Sequence, residues 1–561
     1  MQALSCGSVA RVSKGTDTSL RPGRAHTTGL KLEQQRKLQD SSVAKPNIVM
    51  LLADDLGWNQ VGYQHTGEAR VSTPIIDDLA ARGIKLQRMY AHFICAPSRA
   101  SLQSGRQPHH VLLENAYPGD NTPGSNWGYS GVPPQYEGLG SMMKRGGYKT
   151  YMLGKWHVGM STPAQTPHGR GYDEALVHFA SYVSGWTYMP GYETPLSDQG
   201  GDLWESGPDI QPPEGRGAAI NSAGCNKTTA LNWDSSSGGC EHMDDRLVAL
   251  VEQILTSQSN EPIFLVFAPH TNHGPLDNPQ VLADESADTS FTQRLVSSLT
   301  YLDGLVGRVV AALAVNKWDS TVLVFASDNG ASGEYQEEWV NAPLRGYKRT
   351  AWEGGIRVPA FVTGGFLPQA VRGTTQDGLM HLHDLYATFA AFAGVTDLQE
   401  APGDDMFPME GYDLSPLLLG TQADSPRTCI FVGNTPCGSE NFDDCDDVGA
   451  DGTIQAVIQL NTSSGALLKL MVGVTMAGVP ASDRLAAQAN TEHFSCGFTP
   501  DTGCLYDLNN DPGETTSIAA AWPTTFNMLL SEARAGVVYP NPRALGEPQK
   551  TTGYGPWLAD P

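Results

Sequence analysis

Three apolar runs constrain this chain more than any other feature. Pro46 to Ala53 (PNIVMLLA), Pro262 to Ala268 (PIFLVFA) and Thr321 to Ser327 (TVLVFAS) are continuously apolar, without the alternation of a strand that has one wet face. Such runs belong to strands buried on both faces, as in a parallel sheet covered by helices. Each run then stops at polar residues. The first ends in Asp54-Asp55-Leu56-Gly57, the second in Pro269-His270-Thr271-Asn272-His273-Gly274-Pro275-Leu276, the third in Asp328-Asn329-Gly330. Taken singly, each dipeptide is also compatible with a solvated Asp-Gly-like turn. Open α/β sheets bind ligands at the carboxyl ends of their strands, so three polar tips on three buried strands are expected to converge on one site. The expected fold class is α/β, with a large mixed, mostly parallel sheet flanked by helices.

The intervening segments fit that frame. Ser72-Thr73-Pro74 opens a helix through Leu79 and Ala80 by the cap-then-proline rule. A strand from Lys149 to Leu153 delivers Gly154-Lys155-Trp156-His157, a cation and a possible base, or a surface lysine beside a packed tryptophan. The segment Phe291 to Val315 reads as one long helix, with Leu295, Leu299, Leu302, Leu305 and Val309 forming a core stripe. A second cation, Lys348, lies in the stretch Pro343 to Pro359, and a helix from His381 to Gly394 closes the large domain. Residues 185–240 lack either period and read as surface loops, where Trp186, Trp204 and Trp233 are candidates for stacking on a substrate ring. His270 and His273 could pair on a metal, a weak signal in a loop before proline.

The stretch Cys95-Ala96-Pro97-Ser98-Arg99-Ala100-Ser101-Leu102-Gln103-Ser104-Gly105-Arg106 stands out. Its plain reading is a buried cysteine that begins a helix. Pro97 in a first turn places Cys95 at a helix N-terminus, where unpaired N–H groups and the helix dipole favour an anion.

Cys-x-Pro-Ser-Arg followed by Ser-Gly-Arg resembles the signature of the type I sulfatase family. From about residue 46 to 520 the order of the motifs is similar to that family. Pro134 to Gly140, Gly154-Lys155-Trp156-His157 with Val158-Gly159-Met160, and Pro343-Leu344-Arg345-Gly346 with Lys348 and Trp352 to Gly355 are most similar to the arylsulfatase B (N-acetylgalactosamine-4-sulfatase) group. The resemblance implies an alkaline-phosphatase-like sandwich with a smaller C-terminal sheet subdomain. It implies hydrolysis of sulfate esters, either aryl sulfates or sulfated glycans such as N-acetylgalactosamine 4-sulfate units. It also implies that Cys95 is oxidised to Cα-formylglycine by a formylglycine-generating enzyme, and that one calcium ion is held by Asp54, Asp55, Asp328 and Asn329 with the modified Cys95 beside it. Oxygen donors of that kind suit Ca²⁺ or Mg²⁺ rather than zinc. Lys155 and Lys348 are then implied to hold the sulfate, His273 with Lys348 to protonate the departing alcohol, His157 to release sulfate from the enzyme and Arg99 to position the nucleophile. Arg106 is expected to be structural. Two other readings stand beside this one: a phosphodiesterase or phosphonate hydrolase of the same superfamily, and an inactive glycan-binding homologue.

The formal charge of −24 argues against nucleic acid as a partner, since phosphate backbones are bound by clustered Lys and Arg. It also means that an anionic ester needs a locally cationic pocket, which Lys155 and Lys348 would supply. No run of about 18 apolar residues marks a membrane span. Residues 1–45 read as a disordered leader without an apolar signal-peptide core, 46–424 as the catalytic domain and 425–561 as a smaller C-terminal subdomain with a wrapping tail. Of nine cysteines, Cys225 and Cys240, Cys496 and Cys504, and the cluster Cys429, Cys437 and Cys445 fall in loop-like sequence. With sequons at Asn226 and Asn461, they point to disulfides and the secretory pathway, extracellular or lysosome-like.

Overall fold

The computed structural model describes residues 45–535 apart from 68–70, 113–130, 161–162, 189–201, 207–217, 220–240, 260, 285–289, 334–338, 399–406, 434–453 and 477–492. Five parallel strands form the middle of a ten-stranded sheet, in the order Thr321–Ser327, Asn47–Ala53, Ile263–Ala268, Lys149–Lys155 and Glu174–His178. Short strands extend it on both sides. Ala360–Thr363 joins antiparallel to Thr321–Ser327, and Trp204–Ser206 antiparallel to Glu174–His178. All three apolar runs are therefore central strands, and every residue from Ile48 to Ala53 is almost fully buried.

Alternate side chains of these strands enter two different cores. Ile48, Met50 and Leu52 pack with Ala96, Ala100, Leu139 and Phe389, on the face covered by the helices Cys95–Ser104, Leu139–Arg145 and Asp384–Ala393. Val49 and Leu51 pack on the opposite face with Leu79, Leu247, Leu302 and Val309, from the helices Pro74–Arg82, Met243–Thr256 and Phe291–Asn316. The 26-residue helix Phe291–Asn316 is long and apolar enough by composition to cross a membrane. Its Leu295, Leu299, Leu302, Leu305 and Val309 are buried in the protein, so it serves here as the core helix that the stripe predicts.

Toward the C-terminus, Cys429–Gly433, Ile454–Leu460, Leu467–Met471 and Cys504–Asp507 form a four-stranded antiparallel sheet. One face packs on the helix Pro523–Ala535 through Val457, Leu470, Phe526 and Leu529. The other packs Ile458, Leu467 and Tyr506 against Tyr90, Trp352 and Ile356. Cys496 and Cys504 are disulfide-bonded, with Cα atoms 5.4 Å apart. Cys225, Cys240, Cys437, Cys445 and Asn226 lie outside the described residues.

The expectation of a purely looped 185–240 region needs correcting. Trp204 sits on the short strand Trp204–Ser206, paired on its far side with Ala218–Ala219, and is buried against Phe179, with its indole N–H donating to Asp202. Trp186 is buried too, and its indole N–H donates to the Asp277 carbonyl. Both indoles are spent on internal packing, so neither offers a face to a substrate. Trp233 lies outside the described residues.

Candidate active site

The five parallel strands end on one edge of the sheet, and each contributes to the same place. Asp54 and Asp55 follow the strand Asn47–Ala53; Lys155 is the last residue of its strand, with His157 two residues on. His270 and His273 follow Ile263–Ala268, Asp328 and Asn329 follow Thr321–Ser327, and His178 ends Glu174–His178. The helix Cys95–Ser104 points its N-terminus at this edge, with Ile94 extended as its cap and all ten of its residues buried. Gly105, at a φ of 67°, ends it in the left-handed conformation that glycine adopts without strain.

The charges interlock. Lys155 Nζ donates to both Asp54 carboxylate oxygens, at 2.9 and 2.8 Å, and lies 3.5 Å from Cys95 Sγ. Lys348 Nζ lies 2.7 and 2.8 Å from the two oxygens of Asp55 and 3.3 Å from His273 Nε2. Arg99 Nε donates to Asp328 Oδ2 at 2.9 Å, its Nη1 to the Lys155 carbonyl at 2.9 Å, and its Nη2 stands 3.4 Å from Asp54 Oδ1. Asn329 Nδ2 donates to Asp55 Oδ1 at 2.8 Å, and the Asp55 amide donates to Asp328 Oδ1 at 3.1 Å. Cys95 Sγ is 3.8 Å from Asp54 Oδ1 and 3.7 Å from Asp55 Oδ1.

Burial by itself would push these carboxyl groups up. For Asp54, Lys155, His273, Arg99 and Lys348 outweigh burial and hold it well below the usual range; for Asp55, Lys348 and His273 do the same. Asp328 lacks a lysine partner of its own, and burial raises it to about 6 in spite of Arg99. Burial raises the Cys95 thiol to about 12, with Lys155 and Lys348 opposing. His273 is lowered to about 3 by burial and by Lys155, and His157 well below its usual value by burial, Lys155 and Arg99.

The donor set fits a hard divalent cation. Asn329 Oδ1 is buried and accepts no hydrogen bond, an orphaned lone pair among carboxylates. Ligand atoms of Asp54, Asp55, Cys95 and His273 all lie within 4.8 Å of one another. Two of these four are carboxylates, and with Asp328 and the Asn329 amide they make an oxygen-rich shell.

A family model described as Sulfatase matches residues 46–395. The chain belongs to the sulfatase family. It is a sulfuric ester hydrolase by that membership, and its sheet is the alkaline-phosphatase-like one of its structural neighbours. It is 27% identical over 552 residues to mouse arylsulfatase J, covering 94% of this chain and 83% of the relative. It is 29% identical over 406 residues to dog N-acetylgalactosamine-6-sulfatase, covering 70% and 69%. Among solved structures, PsFucS1 sulfatase from Pseudoalteromonas sp. superposes with a TM-score of 0.62 at 23% identity, over 91% of this chain and 95% of the other.

In this sulfatase all ten residues singled out from the sequence, Asp54, Asp55, Cys95, Arg99, Lys155, His157, His273, Asp328, Asn329 and Lys348, are brought to one edge of the sheet. Arg106 stands apart: it bonds the Phe407 and Ser104 carbonyls and covers the Tyr136 ring, 3.9 Å from its centroid. Sequence reasoning offered His270 only as a weak metal-binding partner of His273 and passed over His178. His270 Nδ1 is 3.7 Å from Asp54 Oδ2, and its ring lies 5.2 Å from both His178 and His273. The available signal was the same as for the others, a polar residue at the tip of an apolar strand.

Proposed function

We propose that this sulfatase cleaves aryl sulfates or sulfated glycans with a Cα-formylglycine formed from Cys95 and a calcium ion held by Asp54, Asp55, Asp328 and Asn329. The observation that carries the reading is the state of Cys95. Its sulfur sits at the N-terminus of a buried helix, 3.5 Å from Lys155 Nζ and 3.7 to 3.8 Å from the carboxylates of Asp55 and Asp54, where burial raises the thiol and works against a thiolate nucleophile. That central position suits a functional group other than a free thiol in the working enzyme. Cα-formylglycine supplies a hydrated aldehyde with one hydroxyl to attack sulfur and a second through which sulfate can be expelled. Bound calcium supplies charge neutralisation and polarises the sulfuryl oxygens.

The remaining roles belong to the chain's own side chains. Lys155, 3.5 Å from Cys95 Sγ, is within reach of the oxygens of a sulfuryl group carried at residue 95. Asp328, held by Arg99 and raised to about 6, can accept the proton of an attacking hydroxyl. His273 Nδ1 donates to the Gly274 carbonyl at 2.8 Å, which leaves the Nε2 lone pair facing Lys348. Lys348 and His273 thus form a couple that can hand a proton to the departing alkoxide. His157, neutral and fully buried, can accept the proton released when sulfate is expelled. It occupies the left-handed region at a φ of 54°, a strained backbone for a residue with a side chain.

For localisation, the Cys496–Cys504 bond and the exposed turn that carries the Asn461 sequon support a secretory route. For substrate class, relatives named for aryl and N-acetylgalactosamine sulfates support both alternatives. The test is mass spectrometry of the Cys95 peptide from active protein, expected to show conversion of thiol to aldehyde, with Cys95→Ala abolishing sulfate release. Active protein with an unmodified thiol would overturn the mechanism. Parallel assays on an aryl sulfate and an aryl phosphate separate it from a phosphonate or phosphodiester hydrolase.

A further inference from the structure

Cys95, Lys155, Asp54, His157, Asp328 and Asn329 are entirely buried, whereas His273 and the Lys348 side chain each keep about a tenth of their surface exposed: 9% in both cases. The site therefore opens over the Lys348 and His273 pair, and the body of a substrate must leave in that direction. On that rim stands Tyr182, 36% exposed, with its ring 6.1 Å from the His273 ring at an interplanar angle of 71°.

The loop that carries it is fixed at both ends. The amides of Phe179 and Ala180 donate to the buried carboxylate of Asp202 at 2.6 to 3.0 Å. Ser184 Oγ donates to Asp277 Oδ2 at 3.0 Å, Trp186 donates to the Asp277 carbonyl, and the Met243 amide donates to the Gly185 carbonyl at 2.7 Å. Phe179, Trp186 and Tyr188 from the same loop are buried. Among the described aromatic residues of the loop, Tyr182 alone is held out to solvent, beside the group that meets the departing oxygen.

We propose that Tyr182 is the platform for the leaving group, a flat ring with an apolar face, pyranose or arene, whose esterified oxygen is directed at the Lys348 and His273 couple. The inference rests on the sulfatase mechanism above and adds the subsite beyond it. A ring lying on the tyrosine gains dispersion and hydrophobic contact that the sulfuryl group cannot provide, and a bulky alcohol is thereby oriented without contacting the buried charges. Tyr182 acts on binding and orientation of the alcohol, while proton transfer belongs to the couple next to it.

The experiment uses the full chain bearing formylglycine and compares wild type with Tyr182→Ala and Tyr182→Phe on 4-nitrophenyl sulfate, a monosulfated N-acetylgalactosamine and ringless butyl sulfate, with inorganic sulfate as product inhibitor. Tyr182→Ala is expected to raise KM for ring-bearing esters by about two- to tenfold, the range an aromatic contact supplies. The kcat, the KM for butyl sulfate, the inhibition constant of sulfate and the melting temperature should stay at wild-type values, and Tyr182→Phe should behave as wild type. A KM effect confined to one ring type identifies that ring as the occupant. Phe498→Ala, a truncation at a 44% exposed aromatic in the C-terminal part, should change nothing. An unchanged KM for both ring-bearing esters, or an equal effect on butyl sulfate and on sulfate inhibition, would overturn the platform. Failure of modified wild-type protein to release sulfate from any ester would instead overturn the mechanism on which it rests.

Discussion

Glu514→Gln should change how stability depends on pH rather than simply weaken the protein. Where the C-terminal sheet meets the catalytic part, Lys469 is fully buried with its ammonium 3.2 Å from Glu353 Oε1 and 2.8 Å from Glu514 Oε1. One cation faces two acids. Glu353 is the better served, since Tyr90 donates to its Oε2 at 2.8 Å and Arg357 stands 3.7 Å away. Glu514 has the Glu353 amide at 2.7 Å and the ion pair with Lys469, which is close but not aligned as a hydrogen bond. Burial, opposed by Lys469 and reinforced by Glu353, therefore raises Glu514 from its ordinary 4.5 to about 7.

A carboxyl raised on folding keeps its proton in the native state after the unfolded chain has lost it. Its stabilisation is present in full below pH 4.5 and is lost as pH rises to about 7. A rise of that size corresponds to roughly 3.5 kcal/mol, at about 1.4 kcal/mol for each tenfold change in proton affinity. Glutamine mimics the protonated acid at every pH. Denaturant midpoints at pH 5, 6, 7 and 8, followed by tryptophan fluorescence, should show the variant close to wild type at pH 5 and more stable by about 2 to 3 kcal/mol at pH 8. A variant less stable by a constant amount across that range would refute the reasoning, because it would mean that Glu514 stays ionised on Lys469 throughout.

Two other perturbations bear on the active site. Lys155→Met removes the ammonium that holds both oxygens of the fully buried Asp54, and should cost about 3 to 5 kcal/mol in stability, read from denaturant midpoints, because it leaves a buried charge without its nearest partner. The same variant should lower kcat/KM by at least about 100-fold, as loss of a transition-state charge partner does, and near-normal turnover would remove Lys155 from the chemistry. Chelation of divalent ions from the purified protein should lower its melting temperature and abolish sulfate release, with calcium restoring both; a melting curve indifferent to chelator and calcium would argue against the Asp54, Asp55, Asp328 and Asn329 shell as a metal site.

Much of this protein was settled by local sequence. Unbroken apolar runs at 48–53, 263–268 and 322–326 are satisfied by burial on both faces, so a parallel, helix-covered sheet follows from the hydrophobic effect and from strand periodicity. The polar tips announced the functional edge for the same reason, since charged residues directly after a buried strand must be either solvated or used. Cys95 at a helix start was legible from Pro97.

Tertiary structure decided what depends on contacts between distant segments. Nothing local in Trp186 or Trp204 tells that their indole N–H groups find Asp277 and Asp202, and therefore that neither lines the site. Nothing local in Tyr182 places it on His273, 91 positions along the chain, because that proximity depends on a loop pinned by Asp202 and Asp277. The inertness of Cys95 is likewise collective. Its sequence context offers a helix N-terminus and positive charge, which lower a thiol pKa, whereas folding removes water and brings Asp55 and Asp328 alongside, and desolvation wins. Sequence thus fixes which groups end each strand, and the packed structure fixes their protonation, their partners and the side from which a substrate can enter.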